Sequence, residues 1–290
     1  MAKRSKIHHY VPKVAQRRFC FETEKIWWTE KDSSGQFGVP EVRNIRSTFK
    51  ERDYYTIVDN DVLSDRVEKN FYAKLDNYWG QLLSEVEKIF DTGGIPEIKG
   101  EALDTLLEAV FHFVKRTPEF MLNTDQARDD FAIGEELVET VASTMRLSQY
   151  SQKEVNTYLE RFKDRKSVVH QGRTVRVKAT LPISDKIRDS LKGFTVRWGV
   201  VSSKHSLILP SCFIYRLGNG GSNGISNPNM EFWVPVSPKK VLVLLRDPSN
   251  CISPLNLIGR EQVRSINRYA VSSNRSVASH SKKLLDSLIQ

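Results

Sequence analysis

Apolar residues recur every three or four positions through the middle of the chain, a spacing that predicts amphipathic helices. The longest such stripe runs from Val67 to Phe90 and ends at Thr92-Gly93-Gly94, a typical stop signal. Further helices are predicted over 101–116, over 124–148 with an interruption near Gly134, and over 151–163, 259–270 and 281–288.

Strict alternation of apolar and polar residues predicts strands on both sides of these helices. Segment 174–179 alternates between small apolar and polar side chains, so we expect a half-buried strand after a turn at Gln171-Gly172. Other strands are predicted at 26–28 and 37–42, joined by a turn at 33–35, and at 195–201, 206–215 and 240–245. The predicted fold is α+β, a central antiparallel helical bundle with mixed or antiparallel strands contributed by the N-terminal and C-terminal parts.

A chain of 290 residues can bury a substantial core, and we expect a single compact domain over 1–290. Its parts would be the strand segment 1–60, the helical core 61–165, the basic β-rich part 166–256 and the C-terminal helices 257–290. No apolar run approaches the ~18 residues that span a membrane, and no apolar stretch follows the basic N-terminus. The three cysteines show no disulfide or zinc spacing, so we expect a cytoplasmic protein without membrane association.

Charge is distributed unevenly. Residues 1–150 carry 21 basic and 26 acidic side chains, whereas residues 151–290 carry 23 basic and 9 acidic ones, within a net charge of +9. Such asymmetry points to a polyanionic partner. The basic residues predicted to contact nucleic acid are Arg161, Lys163, Arg165, Lys166, Arg173, Arg176 and Lys178. A solvated face without a partner is the alternative, and the few nearby aromatic residues disfavour stacking on single strands.

The most specific local sequence is Ile7-His8-His9-Tyr10-Val11-Pro12. Each imidazole can donate, accept, titrate or bind metal near neutral pH. Successive residues of an extended segment point to opposite sides, so His8 and His9 cannot both perform one task there. The alternative is a structural N-terminus in which Tyr10 fills the core.

Several segments along the chain form one ordered pattern. They are His8-His9-Tyr10-Val11-Pro12 with Arg17-Arg18-Phe19, Lys25-Ile26-Trp27-Trp28, Tyr54-Tyr55-Thr56, Val67-Glu68, Phe113 through Arg116-Thr117-Pro118, Pro235-Val236-Ser237-Pro238 and Asn267. In order and spacing this pattern resembles the bacterial family called domain of unknown function 4238. The resemblance implies a fold and a set of residues, and it leaves the reaction open.

One segment departs from that family's pattern. After a strand matched by Trp198, the family has Ser-Asp-Asn-Pro, whose carboxylate is its best candidate acid. The matching stretch here is Leu209-Pro210-Ser211-Cys212, which contains no acid, and the similar Ser226-Asn227-Pro228-Asn229 lies too far downstream. We therefore expect the role of that acid to be met differently or to be lost.

The candidate catalytic residues are His8, His9, Tyr10, Glu68 and Arg116. A histidine would act as general base or metal ligand, Tyr10 would orient it, Glu68 would be an acid or second ligand, and Arg116 would stabilise phosphoryl charge. A divalent metal, if one is used, would bind His8 or His9 with Glu68, although no HExxH or paired-cysteine motif is present. An antiparallel return after Gly93-Gly94 would bring Arg116 near Glu68, with a histidine crossing that end.

Two functional hypotheses follow. The first is a cytoplasmic bacterial effector acting on nucleic acid, such as a nuclease-like toxin or a phage-defence component. The second is a non-catalytic scaffold that binds nucleic acid or a protein partner, which the missing Ser-Asp-Asn-Pro acid favours. For Glu68 and Arg116 the structural alternatives are favourable interactions with the helix dipole at an N-terminus and a C-terminus.

Overall fold

The computed structural model describes residues 4–59, 62–124, 129–202, 204–218 and 224–289, apart from the side chains of 122–124. The chain divides into two compact units, and each is described by itself. The first unit comprises Met1–His8, Glu51–Lys74 and Phe120–Pro182, and the second comprises His9–Lys50, Leu75–Glu119 and Ile183–Gln290. Runs of strands and runs of helices follow one another along the chain, which confirms the α+β class.

The elements, in chain order, are β1 (Ile7–His9), α1 (Lys13–Arg17), β2 (Lys25–Glu30), β3 (Glu41–Asn44), β4 (Lys50–Arg52), β5 (Ile57–Asp59), β6 (Val62–Ser64), a π-helical turn (Glu68–Tyr72), α2 (Ala73–Asp91), α3 (Glu101–Lys115), α4 (Pro118–Thr124), α5 (Asp130–Leu147), α6 (Gln152–Glu160), α7 (Arg165–Thr180), α8 (Asp185–Leu191), β7 (Thr195–Val201), β8 (Leu209–Pro210), β9 (Tyr215–Gly218), β10 (Met230–Ser237), β11 (Lys240–Leu245), β12 (Leu255–Ile258), α9 (Arg260–Ser273), β13 (Ser276–Ser279) and α10 (Lys282–Ile289). Among the described residues no helix has both the length and the apolar character that crossing a membrane requires.

In the first unit, helices α5 and α7 cross in close contact at two glycines. A Cβ atom at Gly134 would lie 2.1 Å from the carbonyl oxygen of Val168, and one at Gly172 would lie 1.8 Å from that of Asp130. Only the absence of both side chains permits this approach. Gly134 therefore does not interrupt α5, and Gly172 lies inside α7 rather than in a turn.

The predicted strand over 174–179 is wrong, because these residues belong to α7. The alternating pattern is real, but the inward side chains follow a helical spacing, with Val168, Gly172 and Val177 buried along the helix. Packing against α5 overrides the strand preference of the β-branched residues. The predicted helix over 124–148 is observed as α5 from Asp130, where the Asp129 carboxylate caps Ala132 N–H at 2.8 Å, and 125–128 lie outside the described residues.

The second unit contains two larger sheets. One has the order β12-β7-β11-β10-β9, antiparallel except for the parallel pair β12–β7, and the other has the antiparallel order β3-β2-β13-β8. The predicted strands at 195–201 and 240–245 are confirmed as β7 and β11. Within the predicted strand 206–215, only Leu209–Pro210 forms a strand before β9 begins, and β10, β12 and β13 were not predicted. Residues 219–223 lie outside the described residues.

Helices α2 and α3 confirm the predictions for 67–90 and 101–116, and Thr92-Gly93-Gly94 follows the end of α2. Trp79 of α2 and Phe113 of α3 meet edge to face with ring centroids 5.5 Å apart. Phe213 contacts both rings at 5.7 and 5.2 Å, so the two helices share one aromatic core with the segment between β8 and β9. A central antiparallel bundle stays a prediction.

Candidate functional site

Arg116 directly follows α3 and is fully buried. Its Nη1 donates to Oδ1 of Asp76 at 2.5 Å, and its Nη2 donates to the backbone carbonyl oxygen of His9. The guanidinium carbon also lies 5.6 Å from the ring centroid of Phe113. Because a buried charge is tolerated only when it is paired, this side chain holds the start of the second unit against α2 and α3.

Asp76, the partner of Arg116, was not singled out from the sequence. Its side chain is 27% exposed, and burial raises its pKa although Arg116 and Lys13 act in the opposite direction. Asp76 lies four residues after the buried Tyr72 and three before the buried Trp79, so it occupies the apolar stripe of its helix. An acid within a buried stripe is the signal that could have revealed it.

His9 is neutral at pH 7 in this environment. The residue is 9% exposed, and burial lowers the pKa of its imidazole to about 4, helped by the nearby charges of Lys13 and Arg116 and opposed by a hydrogen bond with the Ile45 backbone. Nε2 has no hydrogen-bond partner among the described residues. A neutral imidazole with one unused nitrogen can accept a proton or bind a metal.

His8, in the first unit, has a different environment. Its Nδ1 accepts a hydrogen bond from the Tyr55 N–H at 2.8 Å, its Nε2 lies 3.3 Å from the Ser5 carbonyl oxygen, and its ring stacks on that of Tyr55 with centroids 5.6 Å apart. Burial lowers the pKa of His8, so the ring is neutral and Nε2 carries the proton. Both ring nitrogens therefore contact backbone, which supports a structural role.

Tyr10 and Glu68 complete the set predicted from the sequence. Tyr10 is buried, its N–H donates to the Phe49 carbonyl oxygen at 3.0 Å, and the two rings meet edge to face. Glu68 is half-buried in the first unit and begins the π-helical turn before α2. π-Helical turns are rare in proteins, and those that occur are often found at functional sites.

Of the predicted site residues, the structure brings Arg116 into contact with His9 in the second unit, through the backbone carbonyl and not the imidazole. His8 and Glu68 belong to the first unit. Asp65, an acid that precedes the π-helical turn, accepts from the Ser5 N–H at 2.5 Å and pairs with Lys69. The described residues contain no group of three or more His, Cys, Asp or Glu side chains that could hold a metal ion.

A carboxylate does reach the segment that departs from the family pattern. The hydroxyl of Ser211 donates to the Glu119 carboxylate, which also accepts from the Arg275 N–H at 3.2 Å. Asn274 Oδ1 accepts from the Cys212 N–H at 2.8 Å. Glu119, from the first turn of α4, thus places an acid beside a segment that has none in its own sequence.

Most of the predicted nucleic-acid-binding residues already have partners within the first unit. Arg173 and Arg176, 21% and 13% exposed, both pair with Asp130, at 2.9 and 3.3 Å. Lys163 pairs with Glu160, and the Arg165 guanidinium carbon lies 4.1 Å from the Phe131 ring centroid. Lys178 is exposed. On a helix, Arg176 and Lys178 do not share the face that a strand would have given them.

The other two predicted residues, Arg161 and Lys166, line a pocket of about 310 Å³ in the first unit. We call it the α6–α7 pocket, and its lining residues are Val58, Leu63, Arg161, Phe162, Lys166, Ser167, His170 and Gln171. Cationic, apolar and hydrogen-bonding groups therefore face one space. Phe162 and His170 were not predicted as site residues, and a single aromatic next to a basic residue is too common a pattern to mark a site.

Among known proteins, the chain is similar to one family. No curated protein matches the chain, and no solved structure matches it. The model of the family described as protein of unknown function (DUF4238) matches residues 7–283, nearly the whole chain. The chain therefore belongs to the DUF4238 family.

Proposed function

We propose that the protein is a nucleic-acid-acting effector of the bacterial cytoplasm that binds a single-stranded segment in the α6–α7 pocket. The observation that carries this proposal is that Phe162 lines one pocket together with two cationic residues, Arg161 and Lys166. Cationic side chains bind phosphate groups, and an aromatic or apolar face binds an unpaired base by stacking.

The lining divides into two kinds of surface. Phe162, Val58 and Leu63 provide apolar area on which a base can lie, and a stacked base is worth ~1–3 kcal/mol. On α7, Gln171 offers an amide for the polar edge of that base, and Ser167, whose hydroxyl donates to the Asp164 carboxylate at 2.5 Å, offers its oxygen as an acceptor. The pocket volume suits one nucleotide, and a base can enter only if it is unpaired.

The catalytic part of the proposal is nuclease-like action on the phosphodiester backbone. His9 would be the general base, because its imidazole is neutral and Nε2 has no partner among the described residues. Arg116 and Asp76 would hold the segment that carries it, with Tyr10 as a packing residue. A toxin or a phage-defence component would use such an activity.

Binding is tested by fluorescence anisotropy of a labelled single-stranded oligonucleotide. Lys166→Gln should weaken binding about tenfold, because a charge-assisted contact to phosphate is worth roughly 1.5–3 kcal/mol. Lys163→Gln is the matched control, since it removes the same charge from an exposed residue that does not line the pocket and pairs with Glu160. Equal affinities of the two variants would reject the α6–α7 pocket as the binding site.

Cleavage is tested separately, by incubating the protein with plasmid, single-stranded DNA and total RNA, with and without Mg²⁺ or Mn²⁺. Activity that is lost in His9→Gln would support the proposed base. An intact substrate under every condition would reject nuclease action.

A non-catalytic scaffold is the second candidate, and the contacts of His8 favour it. Both of its ring nitrogens contact backbone, as expected of a residue that stabilises the fold. A scaffold that binds nucleic acid should lose affinity steeply as salt rises. Association that is insensitive to salt would identify a protein partner instead.

A further inference from the structure

A second pocket, of about 380 Å³, lies in the second unit. We call it the α10 pocket. It is formed by 204–206 after β7, by His280 and Ser281 between β13 and α10, and by the first turns of α10. Its size is that of a site for a small ligand, and none of its lining residues belongs to the predicted functional set.

The lining of this pocket is basic. Lys204 and Lys283 both face it, no carboxylate lines it, and neither lysine forms an ion pair within the part of the chain that the structure describes. Asp286, the acid of α10, is paired with Lys282 at 2.8 Å. Two uncompensated ammonium groups around one cavity produce a positive potential that favours an anion.

Hydrogen-bonding groups surround the same space. Ser206, Ser281, His205 and His280 line it. The Ser281 hydroxyl oxygen accepts from the Leu284 N–H at 3.3 Å and keeps its own O–H for a ligand, whereas the Ser287 hydroxyl donates to the Leu284 carbonyl oxygen at 2.8 Å. Nδ1 of His280 is buried and has no hydrogen-bond partner among the described residues. The pocket also lies at the start of α10, where backbone N–H groups of a first helical turn carry partial positive charge.

The chemistry of the lining identifies the ligand class. A phosphate monoester carries close to two negative charges at neutral pH and has three strong acceptor oxygens. The lysines match the charge, and the serine and histidine groups match the oxygens. No aromatic ring other than the imidazoles lines the pocket, so it offers no platform for a stacked base.

We propose that the α10 pocket binds a phosphate monoester, either as a free small molecule or as the terminal phosphate of a nucleic acid. This site is separate from the α6–α7 pocket, because its residues belong to the other unit of the chain. The two proposals can therefore fail independently.

The probe is inorganic phosphate, titrated into the full chain by calorimetry at constant ionic strength. The double variant Lys204→Gln/Lys283→Gln should bind phosphate at least about tenfold more weakly, because it loses two charge-assisted contacts. Lys282→Gln removes one charge next to the pocket without removing a lining residue, and it should bind within about twofold of the original chain.

A second arm distinguishes the two sources of phosphate by comparing 5′-phosphorylated and 5′-hydroxyl oligonucleotides. A preference for the phosphorylated end that disappears in the double variant identifies a terminal phosphate as the ligand. If the double variant weakens the binding of inorganic phosphate but the two oligonucleotides bind equally well, the ligand is a free small molecule. Absence of saturable phosphate binding, or binding that the double variant retains, would overturn the proposal.

Discussion

Replacing Gly172 by alanine should destabilise the first unit, although alanine is the better helix former. Gly172 lies inside α7, where alanine would ordinarily contribute about 1 kcal/mol of helix propensity. The added Cβ would lie 1.8 Å from the Asp130 carbonyl oxygen and 2.7 Å from the Gly134 nitrogen, both of them backbone atoms of α5. No side-chain rotation can relieve such contacts, so the two helices must separate.

Overpacking of this kind costs about 1–3 kcal/mol, and the close backbone contacts indicate the upper part of that range. After the propensity gain is subtracted, we expect a net loss of about 2 kcal/mol and a melting temperature lower by roughly 4–8 °C. Thermal and urea unfolding followed by circular dichroism measure both quantities.

Gly80→Ala in α2 is the matched control, since the nearest atom to its added Cβ is Cγ2 of Val14 at an ordinary 3.5 Å. It should leave stability unchanged or raise it by up to ~1 kcal/mol. A Gly172→Ala variant as stable as the original chain would show that α5 and α7 do not cross as described.

Three further predictions concern titration, pairing and thiol reactivity. Burial lowers the pKa of His9 to about 4, so between about pH 6.5 and pH 4 the unfolded chain binds a proton that the folded chain does not. The free energy of unfolding should therefore fall by up to roughly 3 kcal/mol as the pH is lowered through that range, and His9→Gln should make it less dependent on pH. Asp76→Asn leaves a buried guanidinium without its counter-charge and should cost about 3–5 kcal/mol in urea unfolding, so a loss below ~1 kcal/mol would contradict the pairing. Cys251 is exposed and should react with a disulfide reagent in the folded protein, whereas burial raises the pKa of Cys212, which should react only after unfolding; equal rates would refute this.

Helix α2 was predictable because an apolar stripe at helical spacing and a glycine stop signal agree over its 19 residues. The face of α2 that points into the core was not predictable, because the sequence shows two overlapping apolar stripes. Phe71, Leu75 and Tyr78 form one, and the buried face contains Tyr72 and Trp79 instead. That shift of one residue concealed Asp76.

Helix α7 was not predictable from local pattern. Segment 174–179 alternates like a strand, and Gln171-Gly172 has the composition of a turn. The deciding interaction is tertiary, because Gly172 meets Gly134 in a helix 38 positions earlier in the chain. The same contact between α5 and α7 pairs Arg173 and Arg176 with Asp130. The charge pattern of the sequence alone therefore could not show which basic residues line the α6–α7 pocket.

For the HHYVP segment, alternation along a strand correctly separated the environments of His8 and His9. For Arg116 at the end of α3, the sequence left a choice between phosphoryl charge and the C-terminal dipole of its own helix. The structure gives it a carbonyl and a carboxylate, and only the folded chain could supply those partners.

We propose that single-stranded nucleic acid binds in the α6–α7 pocket. The most direct test is the slope of log affinity against log salt concentration, measured for the original chain, Lys166→Gln and Lys163→Gln. Each phosphate contact on a single strand contributes about 0.7 to that slope. We predict a slope reduced by about 0.7 for Lys166→Gln and unchanged for Lys163→Gln. Identical slopes in all three proteins would contradict the claim.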